Sequence, residues 1–367
     1  MLFRSLTDQL LELRTPWLEG FLAGAPSPVL ADAVPDAARR LRDLLWQFYV
    51  RSGDYLAAAQ TLDALAHSAE FALRLDERIE YLALGVGNAK SIRAAHANSV
   101  HDLISFASQL EEDLEVAQVQ AKVRSALQPI DTLDMDDAER AALAETVAWL
   151  DAELLDVTTL YRDVAEPFDL LEEKLLLIHT AQYQDWDLVA HIWDALLLRE
   201  HAGAAGSEHA PQAIAALVTD VYVRLGRSDI ACPLDLLVPM LEQYAYEQAP
   251  HVAPGWAPLV LLEGSAPADV VFDVLRGLID TAPPPWNTTG GLGFLLPDLA
   301  AYLAAWVNTV LAQPAGSRTY FPAERVDQAA NDALLKLSTN KYVRDGTDPR
   351  ATTEQLQTLV QRIKRAF

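Results

Sequence analysis

Arg40-Leu41-Arg42-Asp43-Leu44-Leu45-Trp46-Gln47-Phe48-Tyr49-Val50-Arg51-Ser52-Gly53-Asp54-Tyr55-Leu56-Ala57-Ala58-Ala59 opens the stretch, running on to Ser91, that decides the fold. Leu41, Leu44, Leu45 and Phe48 recur at helical spacing and predict one apolar stripe on an α-helix. Trp46 falls about 100° from Leu45 on that helix, so a second neighbour must cover it. Ser52-Gly53-Asp54 predicts a break: Gly53 suits the left-handed position after a helix, and Asp54 can accept from the free N–H groups of the next turn. A second helix follows, with Tyr55, Ala58, Ala59, Leu62 and Leu65 inward. Asp76 is expected to cap a third, carrying Ile79, Leu82 and Ala83. Closely linked helices buried on more than one side predict an all-α fold, an irregular, elongated solenoid of stacked antiparallel helices.

Outward from that stretch the pattern stays helical. It predicts one long helix from Ser91 to about Gln128, stopped by Pro129, and helical structure over Asp131 to Val164 with Leu143, Val147, Leu150 and Leu154 inward. Further helices are expected around Trp186, Val189, Trp193 and Leu196 with Asp185 as cap, at Ile214 to Leu225, at Leu236 to Tyr244, and at Val270 to Ile279. Phe294 to Leu311, Pro322 to Ser338 and a stretch from Thr352 complete the series. Phe3 to Arg14 also reads as a helix, cut off before Pro16, and His201 to Pro211 as a flexible link. Leu45, Phe48, Leu62, Trp193, Leu237, Leu275 and Trp306 are the expected core. The expected divisions are 1–35 (a helix and a Pro-rich loop), 36–282 (the solenoid), 283–291 (a Pro/Gly-rich loop) and 292–367 (helices continuing the stack). No period-2 run predicts a sheet, and no fixed repeat period appears.

Composition narrows the functional classes. The 367 residues are 51% hydrophobic and carry a formal charge of −24. Such a chain repels nucleic-acid backbones and anionic membranes, and a basic or apolar partner is expected. Residues 102–173 alone hold 19 Asp and Glu against 4 Lys and Arg. The single cysteine, Cys232, excludes an internal disulfide and is expected to be a buried thiol. Phe294 to Leu311 is the nearest thing to a membrane span, but its apolar residues are one-sided and Pro297, Asp298 and Asn308 interrupt it, which favours a buried helix.

The chemical motifs fail on their spacing. Gly85-Val86-Gly87-Asn88-Ala89-Lys90-Ser91 imitates a phosphate loop, but Ala89 replaces the glycine before the lysine and a helix precedes it. A helix–helix turn is expected there. Asp131, Asp134, Asp136 and Asp137 lack the glycine of a calcium loop and read as a capped helix start. His179, His191, His201 and His209 show no metal-ligand spacing, and Cys232 no nucleophile motif. No catalytic residue, metal ligand or cofactor is expected.

The run from Leu44 to Ala59, with Glu77-Arg78-Ile79-Glu80-Tyr81-Leu82 and Gly87-Asn88-Ala89-Lys90-Ser91, resembles the C-terminal α-solenoid of the large inner-ring scaffold nucleoporins. In that family a β-propeller precedes a helical stack. Leu176 to Tyr183, Val223-Arg224-Leu225-Gly226, Pro233 to Glu242 and Pro254-Gly255-Trp256 resemble later segments of that solenoid in the same order, from about Asp36 to Val310. The resemblance implies a structural scaffold of the nuclear pore complex at the nuclear envelope, a C-terminal fragment without the propeller, supporting nucleocytoplasmic protein and mRNA transport. The implied partners are other nucleoporins, including short linear segments of linker nucleoporins. No nucleic acid, no small-molecule substrate and no direct membrane contact is expected of this stretch. Two other classes fit the composition, a vesicle-coat or other assembly solenoid and a helical metal-dependent lyase. For partner binding, Tyr246 and Trp256 are the expected contacts: Tyr246 points away from the Tyr244 stripe, and Trp256 sits in the turn Pro254-Gly255-Trp256-Ala257-Pro258, where an aromatic ring beside a rigid turn suits an extended peptide.

Overall fold

The computed structural model describes residues 15–24, 36–92, 100–130, 135–204, 206, 208–314, 321–339 and 349–366. The helix expected over Phe3 to Arg14 and the loop through Pro26, Pro28 and Pro35 fall outside them. Among the described residues there are sixteen α-helices, one π-helical turn and no strand. The chain divides into two compact units, Met1–Ala181 and Gln182–Phe367.

The first unit holds α1 (Pro16–Ala23), α2 (Ala37–Ser52), α3 (Tyr55–Ala66), α4 (Leu75–Ser91), α5 (Val100–Leu127), α6 (Asp137–Ala152), α7 (Val157–Thr159) and α8 (Leu171–Thr180), with a π-helical turn at Leu160–Ala165. Each of α2 to α5 packs on the next. The α2–α3 corner forms as its residues require. Gly53 takes φ +79°, its N–H bonds back to the end of α2, and Asp54 accepts from the Ala57 N–H at 3.0 Å. Leu41, Leu45 and Phe48 are buried, while Trp46 packs on a second core with Leu62, Leu65, Tyr81, Leu82 and Leu110. The two faces of α2 thus have separate neighbours.

Three expectations change here. Asp76 is in the first turn of α4 rather than at its cap, where the Arg74 N–H donates to Glu77 Oε2 at 3.0 Å; Asp76 instead accepts from Arg124 Nη2 at 2.9 Å. The long helix does not begin at Ser91: α4 ends there, Ile92 is extended at ψ 122°, and α5 starts at Val100. Gly85 to Ser91 is helical throughout rather than a turn. Further on, Asp136 caps α6, accepting from the Ala138 and Glu139 N–H groups, and Glu139 accepts from the Asp136 N–H. That reciprocal pair is a capping box. Asp131 and Asp134 lie outside the described residues. Two buried polar side chains tie this unit across helices. Gln120 donates to the Leu150 and Glu153 carbonyls and accepts from the Leu155 N–H, and Arg78 donates to the carbonyls of Ala66, Ser68 and Ala152.

The second unit holds α9 (Trp186–Gly203), α10 (Ala210–Arg224), α11 (Leu234–Glu247), α12 (Trp256–Glu263), α13 (Ala268–Thr281), α14 (Thr289–Ala312), α15 (Ala323–Thr339) and α16 (Pro349–Ala366). Asp185 caps α9 through the Leu188 N–H at 3.0 Å. His201 belongs to α9, so the expected link begins later than the sequence suggests. Trp193, Leu237, Leu275 and Trp306 are buried, whereas Trp186, expected on the same face as Trp193, is 54% exposed at the helix start. The indole N–H of Trp193 donates to the Ala231 carbonyl at 2.7 Å. α14 is long and apolar enough to span a bilayer, yet 67% of its apolar window is buried within the fold. Tyr302 on α14 donates to the Ala268 carbonyl at 2.6 Å, pinning it to the start of α13.

Candidate partner-binding groove

An open groove of about 470 Å³ lies between α9 and α11. Leu197 and Tyr244 form its buried floor. Leu198, Leu236 and Met240 supply apolar walls, and Leu198 is 70% exposed. An exposed leucine in a concave wall leaves apolar area for an occupant to cover. The polar rim holds Asp194, Gln243, Glu247 and Gln248 together with His191, and among the described residues no Lys or Arg lines it. At the floor, His201 Nδ1 and the Tyr244 hydroxyl are 2.8 Å apart, their rings edge to face at 5.7 Å. Burial raises the pKa of the Tyr244 phenol. The hydroxyl therefore stays protonated near neutral pH and holds the ring in place.

The helical period explains this arrangement. Leu236, Met240 and Tyr244 stand four residues apart along α11 and share one face. Leu237 and Leu241 lie on the next face and are buried. Pro239 stands inside α11, where it lacks an N–H to continue the ladder.

Tyr246 and Trp256 are brought to different places. Tyr246 is half-buried between two rings, with centroids 5.4 Å from Trp286 and 5.3 Å from Phe294. Trp256 opens α12, half-buried, and stacks at a tilt 5.9 Å from Tyr244, directly behind the groove floor. Its turn is held by the buried Asp298 carboxylate, whose Oδ1 accepts from the Gly255 N–H at 2.7 Å. Trp286, in the Pro-rich loop, is 2% exposed. The helical spacing places Leu236 and Met240 on a helix but not in a groove, and Leu198, about 200° from Leu196 on its own helix, is not singled out by it.

Of the residues weighed for chemistry, His191 and His201 both line the groove, and the other described ones lie elsewhere. Lys90 pairs with Glu111 at 2.8 Å on the helical surface, and Asp137 pairs with Arg140 within the start of α6. Cys232 is buried, and desolvation pushes its thiol up to about 12, so the neutral thiol is the form present.

The chain is 26% identical over 311 residues to a probable nucleoporin of Schizosaccharomyces pombe, covering 83% of this chain and 22% of that protein. It is 25% identical over 367 residues to the nuclear pore complex protein Nup154 of Drosophila melanogaster, covering 99% of this chain and 25% of that one. The chain thus spans about a quarter of the length of these relatives. Its fold is similar to that of the Chaetomium thermophilum Nup170 CTD, solved in complex with Nup145N, with a TM-score of 0.76 at 20% identity, covering 99% of this chain and 69% of that one. Residues 1–345 match the family model for the non-repetitive/WGA-negative nucleoporin C-terminal region, and the chain belongs to that family.

Proposed function

We propose that the chain is a structural scaffold segment of the nuclear pore complex that binds other nucleoporins through its helical stack, supporting transport between nucleus and cytoplasm. The observation that carries this reading is the family match over residues 1–345. The relatives it resembles are nucleoporins rather than enzymes or vesicle-coat proteins. One structural neighbour was solved as a complex with Nup145N, which supports another nucleoporin as the partner; the α9–α11 groove is the surface we assign to a short segment of a linker nucleoporin, on its apolar walls and acidic rim. An apolar wall with an acidic rim selects a segment with apolar anchors flanked by Lys or Arg. Trp256 backs the groove floor through Tyr244, and Tyr246 offers a second half-exposed ring on the same helix, α11.

The test is calorimetry of the whole chain against a synthetic basic, apolar linker segment. Leu198→Asp and Met240→Asp change solvent-facing walls, so each is expected to weaken binding by ~2 kcal/mol, the hot-spot scale, with little change in melting temperature. Trp256→Ala and Tyr246→Ala are expected to weaken binding similarly while also lowering the melting temperature, because each ring packs on others within the fold. Unchanged affinity in both wall variants removes the groove from the reading. If the whole chain retains no nucleoporin from nuclear-envelope extract, the scaffold reading itself falls.

A further inference from the structure

At the C-terminal end of α3, in the first unit, His67 lies between carboxylates of two different helices. Asp63 stands one turn back on α3, and Asp113 comes from α5. They address opposite edges of the ring. Nδ1 is 3.1 Å from the Asp63 backbone carbonyl oxygen and 3.0 Å from Asp63 Oδ1, while Nε2 faces Asp113 Oδ2 at 3.8 Å. Gln109 Nε2 donates to Asp113 Oδ1 at 2.9 Å, which leaves Oδ2 turned to the imidazole.

The two edges respond differently to a proton. A neutral imidazole keeps one N–H, and the two acceptors beside Nδ1 retain it there. The contact with α3 therefore survives deprotonation. Nε2 then presents a lone pair to a carboxylate, so the contact with α5 turns from attraction into repulsion. At 3.8 Å no hydrogen bond offsets that change.

The charged groups around the ring are mostly acids. Besides Asp63 on α3, Glu112 and Asp113 of α5 and Asp156 at the start of α7 line one cleft of about 330 Å³ with His67, and no Lys or Arg is among its described lining residues. Glu70 follows in the link after α3. Against them, Arg78 of α4 donates to the Ala66 and Ser68 carbonyls, which flank His67 in the chain. The acids outweigh it. The Asp63 carboxylate, above all, raises the His67 pKa; partial burial opposes the rise, and the Asp63 carbonyl and Asp113 add to it.

We propose that His67 is a pH-sensitive clip between α3 and α5: its imidazolium holds Asp113 to the end of α3 in mild acid, and its neutral ring lets that contact go as pH rises. With the folded pKa above the unfolded one, the clip contributes fully to stability below about pH 6.5, and its contribution is lost as pH rises through the folded value. Carboxylates are ionised throughout that window, so the change belongs to the ring. Because α3 and α5 share the core of Leu62, Leu65 and Leu110, the clip fastens that core at its surface edge.

The full chain, carrying isotope-labelled histidine, is titrated by NMR from about pH 5 to about pH 8.5, with the His67 signal assigned by its loss in His67→Gln. The expected midpoint lies above the ordinary 6.5. Asp113→Asn is expected to move it down, and Asp113→Glu, which keeps the charge, to leave it raised. Thermal denaturation of the His67→Gln and Asp113→Asn pair as a double-mutant cycle supplies the second readout, at about pH 5.5 and about pH 8.5. A stabilising coupling is expected at the lower pH, and none or a destabilising one at the higher. The His67 side chain is 46% exposed, so its loss should not unfold the chain, and circular dichroism checks this. A midpoint at or below 6.5, a midpoint that Asp113→Asn leaves in place, or a coupling equal at both pH values overturns the proposal.

Discussion

Arg78 shows at the residue scale what a periodicity argument misses. Its place in Asp76-Glu77-Arg78 reads as a surface charge, yet it is 4% exposed. Nη1 donates to the Ala66 and Ser68 carbonyls and Nη2 to the Ala152 carbonyl, at 2.5, 3.1 and 2.7 Å. Ala66 ends α3 and Ala152 ends α6, so one guanidinium serves the carbonyl-rich ends of two helices, where the dipole favours a cation. Burial lowers its pKa, but from so high an ordinary value that it stays charged. Arg78→Ala would leave those carbonyls without their donor and a void beneath them. We expect a loss of about 3 kcal/mol in urea denaturation followed by far-UV circular dichroism. Arg78→Lys should recover only part of it, because an ammonium cannot reproduce the planar fork that reaches three carbonyls. A loss below about 0.5 kcal/mol would place Arg78 among ordinary surface charges.

At the scale of the element, the breaks at Gly53-Asp54 and Asp185 were legible, whereas Asp76 and the glycines of Gly85 to Ser91 gave false signals, lying inside α4. Gly53-Asp54 and Asp185 form the breaks their chemistry predicts. The end of α4 offers no such signal, since no Gly or Pro stands between Ser91 and Val100. Ser91 Oγ donates to the Gly87 carbonyl and Asn88 Nδ2 to that of Leu84. Such side-chain bonds to the backbone compete with the helical ladder, and propensity differences of a few tenths of a kcal/mol leave the boundary to packing. Pro239 and Pro297 end no helix: α11 and α14 both run through a proline, as the apolar spacing around each predicts. The turn before α12 allows a sharper test. Gly255 has φ +82°, and a Cβ there would come within 2.8 Å of Ala301 Cβ. Gly255→Ala therefore combines a left-handed backbone with a clash against α14. We expect a loss of about 2–4 kcal/mol by thermal denaturation. The same substitution should displace Trp256, giving a shifted tryptophan emission in the folded variant. Wild-type stability would mean that α14 can retreat and that the Gly255–Asp298 contact holds little.

Across the whole molecule, helix class and family followed from order. Segments such as Leu44 to Ala59 and Pro233 to Glu242 matched in sequence, and each forms the helices expected of it. The groove was not legible in the same way. Leu196, Leu197 and Leu198 are 0%, 5% and 70% exposed; the helical period puts Leu198 about 200° from Leu196 and so off the buried stripe, but only the position of α11 makes its face a groove wall. What sequence did supply is charge. The chain carries a net −24 and the groove's rim holds Asp194 and Glu247 with no Lys or Arg among its described lining residues, so a basic segment should be drawn in before it docks. Long-range steering of this kind acts on the association rate and is screened beyond roughly 10 Å at 0.1 M salt. Apolar contact with Leu198, Leu236 and Met240 acts mainly on dissociation and is much less sensitive to salt. Raising salt from about 0.05 to about 0.5 M should therefore slow association of a basic linker segment about tenfold or more, with dissociation changed less than about threefold. Stopped-flow fluorescence on the whole chain separates the two rates. An association rate indifferent to salt would mean that the acidic rim does not steer the basic segment and that it docks elsewhere. A dissociation rate that rises as steeply as association falls would mean that charge holds the segment instead of the apolar walls, and Leu198→Asp would then bind as the wild type does.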